Sequence, residues 1–273
     1  MSVKRQLALI VAILLVFLAL TVLIRDSFPL QKVKSNINLF GKYLTKQPSA
    51  SLKIPILLYH YVEYNKDKRD FLRDSLNIPP HIFEAQIKTL QAAGYTFITP
   101  KNLPKLLDAP SADDKKYAIL SFDDGYEDFY TDVFPILKKY NAPAVNYVVY
   151  NFIGRLNYLK ESQIKELVES ELIEIGSHTL NHTSLTGVNE QLAETEIEQS
   201  KKLLEKAFGV KIESFAYPYG FYNAQVKQMV RNAGYTTSVT IDAGNVVDKR
   251  SLLELKRVRP GYNIGKDLLF VLE

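Results

Sequence analysis

Asp123 and Asp124 stand side by side at the end of Tyr117-Ala118-Ile119-Leu120-Ser121-Phe122, and Gly125 follows them. The run before them is apolar and β-favouring and reads as a buried strand. Two adjacent carboxylates at the mouth of a core strand repel each other and lose hydration, so a cation should lie close. Taken alone, the stretch leaves open a solvated Asp-Asp-Gly turn. A second stretch, Ser177-His178-Thr179-Leu180-Asn181-His182, also follows a short apolar run, Leu172 to Gly176. It holds two of the four histidines in the chain, four residues apart. One Asp and two His suit a divalent metal with positions left open for water and substrate.

Such residues need a scaffold that brings several strand ends together. Ile54 to Tyr61 reads as a buried strand with His60 near its end, where a lone histidine is ordinarily structural. Asn65 to Asp74 is expected to be a charged surface loop. Pro80 opens a helix in which Phe83, Ile87 and Leu90 keep helical spacing, and Gly94 stops it. Tyr95 to Thr99 reads as a strand and Pro100 to Leu107 as a short helix. Phe129, Val133, Ile136, Leu137 and Tyr140 mark an amphipathic helix despite Pro135. Strand Ala144 to Tyr150 and helix Glu161 to Leu172 follow. Next comes a long helix from Asn189 to Phe208, with Leu192, Ile197, Leu203 and Leu204 inward and its charges on a solvated face. Phe215 to Tyr217 is a strand running into Pro218-Tyr219-Gly220; helix Ala224 to Asn232 and strand Thr236 to Ile241 complete the pattern. Strand and helix alternate with short links and no fixed-period repeat, which predicts a parallel α/β architecture, open sheet or barrel. In such folds sites are built at the carboxyl ends of strands.

The chain has 273 residues, 47% hydrophobic and 23% charged, enough for one large domain with a sizeable core. A net charge of +4 spread along the sequence does not argue for nucleic acid. The absence of cysteine excludes disulfides and Cys-ligated zinc, and with no tryptophan any sugar-stacking surface must use tyrosine or phenylalanine. Lys4 and Arg5 precede an apolar run from Leu7 to Ile24, close to the ~20 residues that span a bilayer. Residues 1–25 are therefore expected to form a membrane anchor with the rest outside the cytoplasm, a cleaved signal peptide being the alternative. Residues 26–52 read as a juxtamembrane linker and 53–273 as the functional domain.

Ser121-Phe122-Asp123-Asp124-Gly125, the Ser177 to His182 stretch and Tyr217-Pro218-Tyr219-Gly220, in that order, resemble the motifs of the polysaccharide deacetylases of carbohydrate esterase family four, the nodulation-factor deacetylase homology domain. Pro55-Ile56-Leu57-Leu58-Tyr59-His60 and Phe83 to Gly94 are similar to the subgroup that deacetylates poly-β-1,6-N-acetylglucosamine, the intercellular adhesin of biofilms. The resemblance implies a distorted (β/α) barrel of about seven strands, one fewer than the common eight. It also implies that Asp124, His178 and His182 bind the metal, Asp123 is the catalytic base, and the Tyr219 backbone N–H holds the oxyanion.

Two features depart from the family pattern. The Arg that usually precedes Pro-Tyr-Gly is missing, Ser214-Phe215-Ala216-Tyr217 standing there instead, and Arg257 or Arg259 could replace it. No histidine follows His182, so the usual C-terminal Leu-x-His is absent; the subgroup resemblance makes His60 the general acid in its place. Asp242 could support a catalytic histidine or be a turn acid before Gly244, and His81 is read as structural. The implied enzyme is a monomer that binds one divalent ion, zinc first, with cobalt, nickel and manganese also fitting. It acts on an extracytoplasmic GlcNAc polymer, with peptidoglycan or chitooligosaccharide as the alternative, or a non-catalytic glycan-binding protein of the same fold.

The residues support that chemistry independently. Hydrolysing an N-acetyl amide requires an activated water, a polarised carbonyl and a proton for the leaving amine. Were both aspartates metal ligands, no base would remain in the motif. Pro218 lacks an N–H, so a donor in that turn must come from Tyr219 or Gly220.

Overall fold

The computed structural model describes residues 51–65, 69–108 and 115–273. The expected anchor, 1–25, and nearly all of the expected linker lie outside the described residues. Among the described residues no helix is long and apolar enough to cross a membrane.

The first half of the fold runs β1 (Ser51–Lys53), β2 (Ile56–Tyr59), β3 (Tyr61–Val62), α1 (Phe71–Leu76), β4 (Asn77–Ile78), α2 (Pro80–Ala92), β5 (Tyr95–Ile98), α3 (Leu103–Asp108), β6 (Lys116–Phe122), α4 (Phe134–Tyr140) and β7 (Ala144–Val148). The second half runs α5 (Glu161–Glu169), β8 (Ile173–Ser177), α6 (Glu190–Phe208), β9 (Ser214–Ala216), α7 (Ala224–Asn232), β10 (Thr237–Ala243), β11 (Val246–Asp248), β12 (Leu255–Arg257) and α8 (Gly265–Val271).

Seven strands neighbour one another in the order β12-β10-β9-β8-β7-β6-β2, and every pair is parallel. A parallel bridge between Leu57 and Val258 joins the two ends: Leu58 N–H donates to the Val258 carbonyl at 2.9 Å and Val258 N–H to that of Ile56 at 2.8 Å. The ring thus closes as the expected seven-stranded barrel, while β5 pairs with the first half of β6 as an extra strand. Period-two alternation sorts the side chains of each strand between two apolar layers. Ile56, Ile119, Val145, Tyr147, Ala216, Val239 and Leu255 belong to one buried cluster, inside the ring. Leu120, Phe122, Ile175 and Phe215 belong to the other, packed beneath Phe83, Ile87 and Leu90 of α2, Leu167 of α5 and Ile197 and Leu204 of α6.

Most expected elements are present, with informative differences. The opening strand is shorter than 54–61 because the chain breaks after Tyr59 and restarts as β3, which pairs with β4. Ser51 and Leu52, read as linker, already pair with β11. The expected loop from Asn65 to Asp74 contains the start of α1, which Asp70 caps by accepting the Arg73 N–H. The helix expected across Pro135 is a π-helical turn, Phe129–Val133, followed by α4, with Pro135 in its first turn. Pro135 has no N–H to pair within this continuous helical run, and the π-helical turn just before it, with the Phe134 N–H bonded to the Phe129 carbonyl, is where the helix accommodates that loss. On α6, Leu192 is exposed and Leu203 half-buried instead of inward, while Glu196 is 1% exposed, so the charges of that helix are not all solvated.

Candidate active site

The candidate residues converge at the carboxyl end of the ring. His60 follows β2, Asp123 and Asp124 follow β6, His178 follows β8, Tyr219 lies just beyond β9, and Arg257 ends β12. The Asp123 N–H donates to the Tyr59 carbonyl at 3.1 Å, so β2 and β6 set His60 and Asp123 side by side.

Asp124 and Gly125 both adopt left-handed backbone, φ 74 and 75, which turns the chain sharply off β6. The Asp124 carboxylate then faces two imidazoles, with Oδ1 3.4 Å from His178 Nε2 and 3.3 Å from His182 Nε2. One donor atom from each of the three residues falls within 4.8 Å of the others. His178 Nδ1 lies 2.8 Å from the Ala216 carbonyl, which can only accept, so a proton sits on Nδ1 and Nε2 is left to face Asp124. Burial lowers the His178 pKa, but the bond to Asp124 and the charge of Asp123 raise it above the ordinary imidazole value. Burial would raise the Asp124 pKa, but its bond to His178 holds it below the usual range. Burial and the neighbouring His178 push His182 down to about 4, so it is neutral at physiological pH, as a metal ligand must be.

Asp123 is 3% exposed and meets a different cation. Arg257 Nη1 and Nη2 donate to its two carboxylate oxygens at 2.8 and 2.7 Å, while Nε donates to the Thr240 carbonyl at 2.6 Å. Burial alone would raise the Asp123 pKa; the Arg257 fork pulls it well below the carboxylate range. Of the two arginines that could replace the missing one, the structure brings Arg257 to Asp123, whereas Arg259 is exposed beside His60 on a cleft of about 250 Å³. Burial lowers the His60 pKa, and the Asp123 and Asp124 charges act the other way.

In the Pro-Tyr-Gly turn the Gly220 N–H is taken by the Tyr217 carbonyl at 2.8 Å, which leaves the Tyr219 N–H as the turn's free donor. Tyr219 is itself left-handed, φ 59, and its ring packs edge-on against His182 with centroids 4.6 Å apart. Gly220 has φ 73 and lies so close to Ile241 that a Cβ would overlap it, so only glycine holds this turn. Among the described residues, seven non-glycine residues have positive φ, and four of them, Asp124, Thr179, His182 and Tyr219, are in this site. Backbone strain concentrated in this way is characteristic of functional sites.

Sequence reasoning missed Glu196. From α6 its carboxylate accepts the N–H groups of Leu180 and Asn181, both at 2.9 Å, and the Asn181 side-chain amide at 2.7 Å. It thereby clamps the loop that carries both histidines. The signal was its position on the buried stripe Ala193, Ile197, Ser200, Leu204, where an unpartnered Glu would not be tolerated. Also missed was an aromatic wall: the Tyr61 and Tyr126 rings stack at 3.9 Å and Tyr158 adjoins Tyr126 at 5.0 Å, all three within the field of Asp124. Asp242 makes no bond to a histidine among the described residues and is exposed at the end of β10. His81 lies outside the cluster and stacks on Tyr64.

A parallel (β/α) ring with an Asp-His-His cluster and a second, arginine-held aspartate at its carboxyl end defines a hydrolase of the carbohydrate-deacetylase kind. The chain matches the polysaccharide deacetylase family over residues 111–238. It is 34% identical over 221 residues to YxkH of Bacillus subtilis, itself assigned to the polysaccharide deacetylases, covering 80% of this chain and 75% of that one. It is 28% identical over 256 residues to the poly-β-1,6-N-acetyl-D-glucosamine N-deacetylase of Staphylococcus epidermidis, covering 83% and 87%. Among solved structures, the Streptococcus pyogenes deacetylase PplD, determined in complex with acetate, superposes with a TM-score of 0.76 at 31% identity, covering 82% of this chain and all of that one. The chain belongs to the polysaccharide deacetylase family and is an N-deacetylase.

Proposed function

We propose that this protein removes N-acetyl groups from a GlcNAc-containing polysaccharide outside the cytoplasm, poly-β-1,6-N-acetylglucosamine being the preferred polymer, in a reaction that depends on one divalent ion. The observation that carries the reading is the Asp124, His178, His182 triangle with Asp123 beside it but engaged elsewhere. The donor set fits the ion: one carboxylate, two imidazoles and an Nδ1–H bond that leaves His178 Nε2 as the ligand atom. Zinc, cobalt, nickel and manganese all suit one oxygen and two nitrogens. When bound, such an ion supplies Lewis acidity to the acetamide carbonyl and acidifies water.

The remaining work falls to the chain's own residues. Asp123, ionised by Arg257, accepts the proton of the attacking water; at its low pKa it is a weak base, and its proximity and fixed orientation offset that weakness. The Tyr219 N–H points its dipole at the oxygen that gains charge as the carbonyl becomes tetrahedral. His60, beside Asp123, gives a proton to the departing amine. The 28% identity to the Staphylococcus epidermidis enzyme and the histidine at the end of β2 support the β-1,6-linked polymer. Residues 1–25 are proposed to hold the domain at the outer membrane face. The test is free-amine release from poly-β-1,6-GlcNAc, chitooligosaccharides and peptidoglycan. Release from the first at the highest kcat/KM supports the reading, and release from another polymer alone overturns the choice of substrate.

A further inference from the structure

Beyond Tyr219 the mouth of the barrel continues into an open cleft of about 520 Å³. Phe221, 56% exposed, is one wall; its ring centroid lies 6.3 Å from that of Tyr219, which in turn packs on His182. Asn223, Thr186 and Asp242 supply polar groups along the same cleft. The Asn223 side-chain oxygen caps α7 by accepting the Val226 N–H at 2.9 Å, so its amide hydrogens remain to donate. Lys227, the cation of the cleft, is neutralised by Glu254 at 2.7 Å. No hydrogen bond or ion pair reaches the Asp242 carboxylate among the described residues. An exposed aromatic face flanked by amide, hydroxyl and carboxylate groups matches the chemistry of a pyranose, with an apolar face and a polar rim.

We propose that this cleft is a subsite for a neighbouring hexosamine unit of the same polymer strand, and that Asp242 makes it select a unit already deacetylated. The proposal rests on the reading of a GlcNAc polymer as substrate. Removing an acetyl group turns a neutral amide into an amine that is largely protonated near neutral pH. That ammonium is the charge the reaction itself creates, and an unpaired carboxylate next to an aromatic wall is complementary to it. Continuity with the catalytic centre through Tyr219 makes the occupant a sugar linked to the one being hydrolysed. A deacetylated unit seated here places an acetylated neighbour at the metal site, so successive cleavages run along a strand instead of starting at random.

The experiment uses the full chain and two β-1,6-linked pentamers, one fully N-acetylated and one carrying a single free amine. It also measures the binding of a β-1,6-linked glucosamine pentamer by NMR. Wild type is expected to show a KM about fivefold lower for the partly deacetylated pentamer, the size of one partly solvated ion pair. Asp242→Asn should abolish that preference, and Asp242→Glu should restore part of it. Phe221→Ala should weaken both pentamers by about five- to tenfold, as loss of an aromatic stack does. Mass spectra of intermediates should show adjacent free amines in wild type and scattered ones in Asp242→Asn. Equal KM values for the two pentamers in wild type, or a preference that survives Asp242→Asn, overturn the subsite while leaving the deacetylase reading intact. If neither pentamer is hydrolysed but the glucosamine pentamer binds in an Asp242-dependent way, the polymer reading fails and the subsite stands. If it does not bind, the subsite falls as well.

Discussion

Arg257 grips both oxygens of the Asp123 carboxylate, at 2.8 and 2.7 Å, across 134 residues of sequence. Both partners are buried, 2% and 3% exposed, so removing either leaves an uncompensated charge in the core. Arg257→Ala should lower stability by about 3–5 kcal/mol, read by urea denaturation. Asp123→Asn should cut kcat by about 10²–10⁴-fold with metal still bound. Normal turnover in Asp123→Asn would remove Asp123 from the base role.

His60 borders the same carboxylate without an ion-pairing bond, as a proton donor to a leaving group requires. The donor must be protonated and Asp123 must be ionised, so activity should fall on both the acid and the alkaline side. Burial lowers the His60 pKa, which places the alkaline limb lower than a solvated histidine would. His60→Ala should lose about 10²–10⁴-fold in kcat and its alkaline limb. An unchanged limb would assign the donor to another group.

Alanine at His178 or His182 should abolish stoichiometric divalent metal, measured by elemental analysis after dialysis, with circular dichroism unchanged. Chelation of the wild type should stop hydrolysis, and a divalent ion should restore it. Full metal content in both variants would place the ligands elsewhere.

Glu196→Gln should weaken metal binding about 10–100-fold, because an amide offers one acceptor where the carboxylate now receives three N–H donors. Its kcat at saturating metal should recover toward wild type, which separates a loosened ligand loop from a lost catalytic group. Unaltered affinity for the ion would contradict the clamp.

Asp128 is buried with Oδ1 unbonded, and its Oδ2 accepts the Val62 N–H. Burial raises its pKa to about 7. A raised folded-state pKa means the group's stability contribution is full below about pH 4 and is lost as pH rises through about 7. Asp128→Asn should therefore gain about 2–4 kcal/mol relative to wild type between pH 4.5 and 7.5, followed by chemical denaturation. A difference that does not vary with pH would show that Asp128 stays ionised throughout.

Much of the fold was legible in the residues. Apolar runs of strand length alternating with helical spacing dictate a parallel α/β chain, because each strand must bury both faces and each helix one stripe. The diacid, the paired histidines and Pro-Tyr-Gly were legible too, since motif residues lie close together along the chain. Tertiary structure decided what depends on contacts between distant segments. The Leu57–Val258 bridge closed the barrel, a choice between open sheet and ring that no local pattern carries. Arg257 over Arg259 was decided by where β12 ends. Arg257 is its last residue and is buried at Asp123, whereas Arg259 lies beyond the strand and is exposed, although two positions apart would share a face on a longer strand. The Tyr219 N–H became the free donor only because Tyr217 took that of Gly220. Glu196 read as one more helix charge until the histidine loop folded onto it, for a carboxylate becomes a clamp only when three donors arrive from elsewhere and water leaves.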